Sequence, residues 1–402
     1  MRRIITIIAL ALSAAGLEPL ASPLDAQRLG PHVPRPKLRD ITDTNDAQAY
    51  FAAGLERFRD DPQAASAAFY WAARIDPSWG DPLYARRTAL LAQNRGLLKA
   101  MMTQSRRSRS SGQLLALDSL QARALMLSPF LFRRLDRQLF ITYLIDGDRS
   151  VNLTFEIGEW VSQSSPATQG WYSYSQGHFD RALSHYSRAI AQEREKAWLH
   201  LERARIFGMR NAVDQAVDEF RVALDELRRK DDKSLVVLYD SKAMAEFSTA
   251  VLLEGAGKPD EAREAYGRAL QEDLAYYPAH MRLALLAIGQ GDTAAAISEG
   301  ALAAQIAVTE PFVRYMNGYI LGKTKHPEES IVELKKAIEL EPFYALPNLV
   351  LGTQYEVQGK GPEALAAYEQ FLKTASAHDP QRKFAVARVD DIKEFLKAPN
   401  TQ

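Results

Sequence analysis

The chain has no cysteine. That absence removes disulfides, thiolate metal sites, a cysteine nucleophile and a lipid-anchor cysteine. It also leaves an exported chain nothing to mispair in an oxidising compartment. Net charge is absent as well: 50 Lys and Arg stand against 50 Asp and Glu, so no global field argues for nucleic acid as a partner. Seven scattered histidines form no H-E-x-x-H or comparable cluster. His178 and His185 could share a helix face, but with no third ligand nearby they read as surface or core rather than metal. No G-x-S-x-G element occurs. Gly322-Lys323-Thr324 matches the end of a phosphate-binding loop, but Asn317 stands where that motif needs glycine, and a helix is expected where it needs a strand. No catalytic residue, cofactor or metal is expected, and the chain is read as a non-enzyme.

Long apolar runs are equally scarce. Arg2 and Arg3 precede one uncharged run at residues 4–16, and small residues then lead to Ala26. At 1.5 Å per residue the run spans about 20 Å, short of a hydrocarbon core of about 30 Å. Residues 1–26 are therefore expected to be a cleaved secretory signal rather than an anchor, which places the mature protein across the inner membrane, in the periplasm. Pro31, Pro34 and Pro36 make residues 27–45 an extended linker.

What is present is helical spacing. Residues 46–93 carry N-terminal repeat-like helices, with Tyr50, Phe51, Gly54 and Phe58 on the first and Ala65, Phe69, Ala72 and Ile75 on the second, which Pro77 stops. Residues 94–162 form a basic, irregular helical insert. Two helices are expected there, at 114–127 and 130–145, with Pro129 opening the second. Between residues 86 and 149 twelve Lys or Arg face four Asp. Three readings fit that surplus: a solvated face with a flexible loop holding Arg106, Arg107 and Arg109, contact with an anionic surface, and, least in keeping with export, nucleic acid.

From residue 163 to 376 a period emerges. Ala182, Ala216, Ala262, Ala296, Ser330 and Ala364 follow one another at 34, 46, 34, 34 and 34 residues. The long interval is 34 plus a twelve-residue insertion placed around 228–240. Tyr186, Phe220, Tyr266, Gly300, Leu334 and Tyr368 keep the same step, as do Ala189, Ala223, Ala269, Ala303 and Ala337, with Phe371 departing in the last unit. Glycines 177, 257, 291 and 359 mark the turns. This 34-residue helix–turn–helix pattern resembles the tetratricopeptide repeat family. Gly170, Ala204, Ala250, Ala284, Gly318 and Gly352 match the family's small residue of the first helix, and Pro77 and Pro342 match its terminating proline. The resemblance implies an all-α, right-handed solenoid of about six units in this segment. Residues 377–402 are expected to cap it with a helix whose Phe384, Val386, Val389, Ile392, Phe395 and Leu396 lie inward.

In that family the first helix of each pair lines a concave groove. Carried onto this chain, the groove residues are Trp198, Leu201 and Arg205; Met244, Phe247 and Val251; Met281, Leu285 and Ile288; Phe312, Tyr315 and Tyr319; and Leu346, Leu349 and Thr353. Two readings stand side by side: an open apolar row that holds an extended polypeptide, and a row packed away against neighbouring repeats. The implied function is an exported scaffold for protein–protein interaction in the cell envelope. The alternatives are a structural subunit of a homo-oligomer or envelope complex with its groove buried, and an envelope-surface tether acting through the basic insert.

Overall fold

A computed structural model describes residues 33–37, 42–94, 96–98, 112–147, 159, 161–229 and 241–397. The expected signal segment, Arg106, Arg107, Arg109 and residues 230–240 of the insertion lie outside them. All regular structure among the described residues is helical. The N-terminal helices are α1 (Ala47–Arg57), α2 (Pro62–Ile75) and α3 (Asp81–Gln93), followed by α4 (Gly112–Leu127) and α5 (Leu135–Gly147). Six helix pairs come next: α6 (Pro166–Ser175) with α7 (Phe179–Gln192), α8 (Ala197–Met209) with α9 (Val213–Arg229), and α10 (Lys242–Gly255) with α11 (Pro259–Glu272). The remaining pairs are α12 (Tyr277–Gly289) with α13 (Thr293–Ile306), α14 (Pro311–Lys323) with α15 (Pro327–Leu340), and α16 (Leu346–Val357) with α17 (Gly361–Thr374), before α18 (Arg382–Lys397).

Local chemistry starts these helices where the spacing predicts. The Asp46 carboxylate accepts from the Gln48 and Ala49 N–H groups, and Asp61, Ser165, Ser241 and Asp292 cap α2, α6, α10 and α13 in the same way. Proline opens α2, α6, α11, α14 and α15, where its missing N–H has no helical acceptor to lose. The turn within each pair places one residue in the left-handed region: Gly177, Asn211, Gly257, Gly291, Lys325 and Gly359. These six positions repeat the 34-residue step with its single 46-residue interval.

The small and aromatic positions meet as the period requires. A Cβ added to Gly170 would stand 2.6 Å from the Tyr186 ring, and one added to Gly352 would stand 2.6 Å from the Tyr368 ring. Tyr186, Phe220, Tyr266, Leu334 and Tyr368 are all buried, as are the six small residues from Ala182 to Ala364. The alanine that allows close approach and the ring that fills the remaining space are thus one device, repeated down the array. Ser330, the non-alanine member, donates its hydroxyl to the Gly318 carbonyl at 2.6 Å and so remains buried without an unmet polar group.

Two expectations need correction. The second insert helix begins at Leu135, not at Phe130. Its first N–H donates to the Tyr84 hydroxyl at 3.1 Å, and that hydroxyl donates to Asp136 at 2.8 Å, so the start is fixed by α3. Helix α18 does not turn all six predicted residues inward. Val389 and Ile392 are buried together with Ala385, whereas Phe384, Val386, Phe395 and Leu396 are exposed. At 100° per residue one neighbouring helix covers one stripe of α18, and Phe384, Val386 and Phe395 fall outside the stripe defined by residues 385, 389 and 392.

Candidate interaction face

The N-terminal helices do not simply extend the array. They fold back along it, running from its last pairs to its first. At the far end Arg74 makes a two-pronged ion pair with Glu341, with N–O distances of 2.8 and 2.9 Å. The Trp71 ring meets Phe343 edge-on at 4.8 Å. Arg35 stacks over Tyr50, Trp71 and Phe343, so this part of the expected linker is docked rather than a plain spacer. Asp43 accepts from the Ser376 hydroxyl at 2.8 Å and the Ala377 N–H at 2.6 Å, and the Asn45 amide donates to the Lys373 carbonyl at 2.9 Å. Midway, Arg123 of α4 reaches Glu310 at 2.7 Å. At the near end, residues 128–134 between α4 and α5 cross the first helices α6 and α8.

That crossing is made by side chains. Phe132 packs edge-on against Tyr174 and Phe179, with ring centroids 5.5 and 5.4 Å away. Phe130 sits against Gly208 and Phe220, and Phe140 of α5 covers Trp171. Arg133 pairs with Glu202, stacks over the Tyr174 ring and donates its backbone N–H to the Tyr174 hydroxyl. Glu202 is also held by Arg205 at 2.8 Å. Burial alone would push the Glu202 carboxyl up, but the two guanidinium groups overcome it and hold the group below its ordinary range.

The predicted groove residues can now be placed. Leu201, Met244, Phe247, Met281 and Leu349 are buried. Phe247 lies between the rings of Tyr266 and Tyr276, and Met281 belongs to a cluster with Ala303, Ala304, Ala307 and Val313. Arg205, Val251, Leu285, Ile288, Phe312, Tyr315, Tyr319, Leu346 and Thr353 are half-buried. Tyr315 stacks between Tyr319 and Tyr344. Trp198, at 39% exposure, is the most open of the set. The row is therefore largely packed, and the structure adds the residues that pack it near α6 and α8.

The basic surplus is likewise turned inward over much of its described length. Arg87 pairs with Asp118, Arg123 with Glu310 and Arg133 with Glu202, and Arg137 lies over Tyr172, whereas Arg134 is exposed beside the Phe51 ring. Sequence reasoning missed this because a cation facing a carboxylate 187 residues away looks the same as one facing water. Among the described residues no three metal-capable side chains converge, and no helix is long and apolar enough to cross a membrane.

The repeat also matches a known family. A tetratricopeptide repeat family model matches residues 168–232 and 247–310. No curated protein matches the chain. Among solved structures, YrrB, described as a TPR protein with an unusual peptide-binding site, is similar at 16% identity and TM-score 0.40, over 50% of this chain and 96% of its own. The C-terminal part of a TPR repeat-containing protein from Cytophaga hutchinsonii is similar at 15% identity and TM-score 0.45, over 56% and 84%. MamA from Desulfovibrio magneticus RS-1 is similar at 15% identity and TM-score 0.37, over 45% and 95%. On the family match and the register of its buried residues, the chain carries tetratricopeptide repeats, matched at 168–232 and 247–310 and continued in the same helix-pair spacing to Thr374.

Proposed function

We propose that this protein is an exported scaffold that holds a polypeptide partner against the face formed by the first helices of its repeats. The observation that carries this reading is the seating of residues 128–134. There a non-helical stretch of chain is fixed across the α6–α7 and α8–α9 pairs by two aromatic side chains, an inward guanidinium and one backbone N–H, with Tyr174, Glu202 and Gly208 as the first-helix residues that hold it. A surface that holds polypeptide in this way has the shape and the hydrogen-bond acceptors, Tyr174 and Glu202, to hold another. Export rests on Arg2 and Arg3, the apolar run at 4–16 and the small residues before Ala26.

The test is site-directed photo-crosslinking of the full chain in cells, with the photoreactive residue at Trp198 in one variant and at Val222 in another. Val222 is exposed on α9, a second helix. Adducts with another polypeptide at 198 and none at 222 are expected. Equal adducts at both positions, or none at either, would remove the reading. Export is checked by the mature N-terminus, expected at Gln27.

A further inference from the structure

We infer that residues 128–134 are a resident occupant of a polypeptide site, and that the partner replacing them is an extended segment with two aromatic side chains separated by one residue and followed directly by a basic residue. This deepens the scaffold reading above and rests on it.

Each anchor of the segment lies in a setting built by the array. Phe130 packs in a cluster with Phe207, Phe220 and Val213. Its ring lies so near Gly208 that a Cβ there would come within 2.4 Å of Cε1. Gly208 is inside α8, where glycine costs helix stability of about 1 kcal/mol relative to alanine. Its bareness serves no helix turn, since its backbone is helical; it makes room for an aromatic ring from outside the repeat. Phe132 enters between Tyr174, at the end of α6, and Phe179, at the start of α7. Arg133 then turns its guanidinium onto Glu202.

On the array side, the charge and one ring contact keep partners when the segment leaves. Glu202 keeps Arg205, so removal of Arg133 leaves a paired carboxylate rather than a bare buried charge. Tyr174 keeps its packing against Phe179. A basic residue at the third anchor is favoured, because it restores the second guanidinium on Glu202, which Arg205 alone otherwise holds. The chain direction is also set: the segment runs from the α8–α9 pair toward the α6–α7 pair, opposite to the order of the repeats.

Tethering explains why such a site is filled in the isolated chain. A segment carried on the same chain as its site competes at an effective concentration set by its tether, on the order of millimolar for a short flexible one. A free ligand must exceed that concentration, or the segment must first be loosened.

The experiment uses a labelled peptide with the sequence of residues 126–138 as probe, and compares the wild type with Phe130→Ala/Phe132→Ala, with that double variant carrying Gly208→Ala or Glu202→Gln, and with Gly208→Ala alone. Folding is checked by circular dichroism, and release of the segment by proteolysis at 128–134. The double variant is expected to bind the peptide at least about tenfold more tightly than the wild type. Adding Gly208→Ala is expected to abolish that gain, as is Glu202→Gln or a peptide with alanine at both aromatic positions. Equal binding by wild type and double variant would place the peptide elsewhere and overturn the inference. So would no binding to a released, folded double variant. Loss of fold in the double variant and in Gly208→Ala made alone would make the segment part of the core and overturn it too. Crosslinking at Trp198 is an independent readout: if it persists while the peptide fails to bind, this inference falls and the scaffold reading stands.

Discussion

At the turn inside each helix pair, the backbone asks for glycine and receives it four times in six. Asn211, at φ 56°, tolerates the left-handed region through its short polar side chain. Lys325, at φ 65°, has no such compensation, and its side chain is exposed. An L-residue there costs about 1 kcal/mol or more. Lys325→Gly is therefore expected to raise stability by about 1 kcal/mol, read as a higher denaturant midpoint with unchanged slope; an unchanged midpoint would mean that the turn is not strained. Arg86 is a second residue held against its preference. It is buried over the Tyr70 ring at 4.3 Å, and its Nε and Nη1 have no hydrogen-bond partner. Burial, with Arg123 nearby, lowers its guanidinium to about 10, so it still carries charge at neutral pH. The stack on Tyr70 returns less than the lost hydration costs. Arg86→Met keeps the apolar stem and removes the charge, and is expected to stabilise the chain by about 1–2 kcal/mol. A fall in Tm would show that the cation is compensated in solution.

Within a pair, the first helix is tied to the second by a recurring polar contact as well as by ring packing. His200 meets Glu219 at 2.7 Å, His280 meets Glu299 at 2.6 Å, and Arg314 meets Glu333 at 2.9 Å, each pair nineteen residues apart. His280 is buried, and its other ring nitrogen lies 3.1 Å from the Leu274 carbonyl. The Glu299 contact raises its pKa above the ordinary value, against the effect of burial. A raised imidazole contributes stability that is fully present below the unfolded value of about 6.5 and lost as pH rises through the folded value. The wild type is thus expected to lose more Tm between pH 6 and pH 8.5 than Glu299→Gln does; parallel curves would mean that His280 does not titrate in this window. This element-level order was partly legible in the sequence. Ala262, Tyr266 and Ala269 announce a stacked helix because close packing demands a small residue and a ring at fixed steps. The role of Phe130, Phe132 and Arg133 was not legible: nothing local distinguishes an aromatic pair that starts a helix from one drawn out to pack on α6 and α8. The groove list suffered the same limit. The positions came from the repeat register, but their burial depends on what lies over them, which no 34-residue window contains.

For the molecule as a whole, the consequence lies in how its ends meet. An open solenoid transmits contacts only between neighbouring repeats, whereas here Arg74 and Glu341 join α2 to the loop before α16 across 267 residues. Both side chains are largely buried, at 12% and 7% exposure. Arg74 also lies over the Trp71 and Phe343 rings at 4.8 Å, so the closure combines an ion pair with an aromatic cluster. Removing one partner leaves the other charge buried without its counterpart, a loss of about 3–5 kcal/mol in comparable settings; removing both leaves an apolar contact. Arg74→Met and Glu341→Leu alone are each expected to lower Tm and to widen the distance between labels placed on α1 and α17. The double variant is expected to recover most of the loss, because Met and Leu can pack beside Trp71 and Phe343. The coupling in that cycle, measured by denaturant unfolding, reads the closure directly. Additive losses with no change in label separation would mean that the ends do not meet in solution and that the array stands open. A positive coupling, combined with a wider label distance in the single variants alone, would establish the fold-back as the feature that decides how much of the first-helix face a partner can reach.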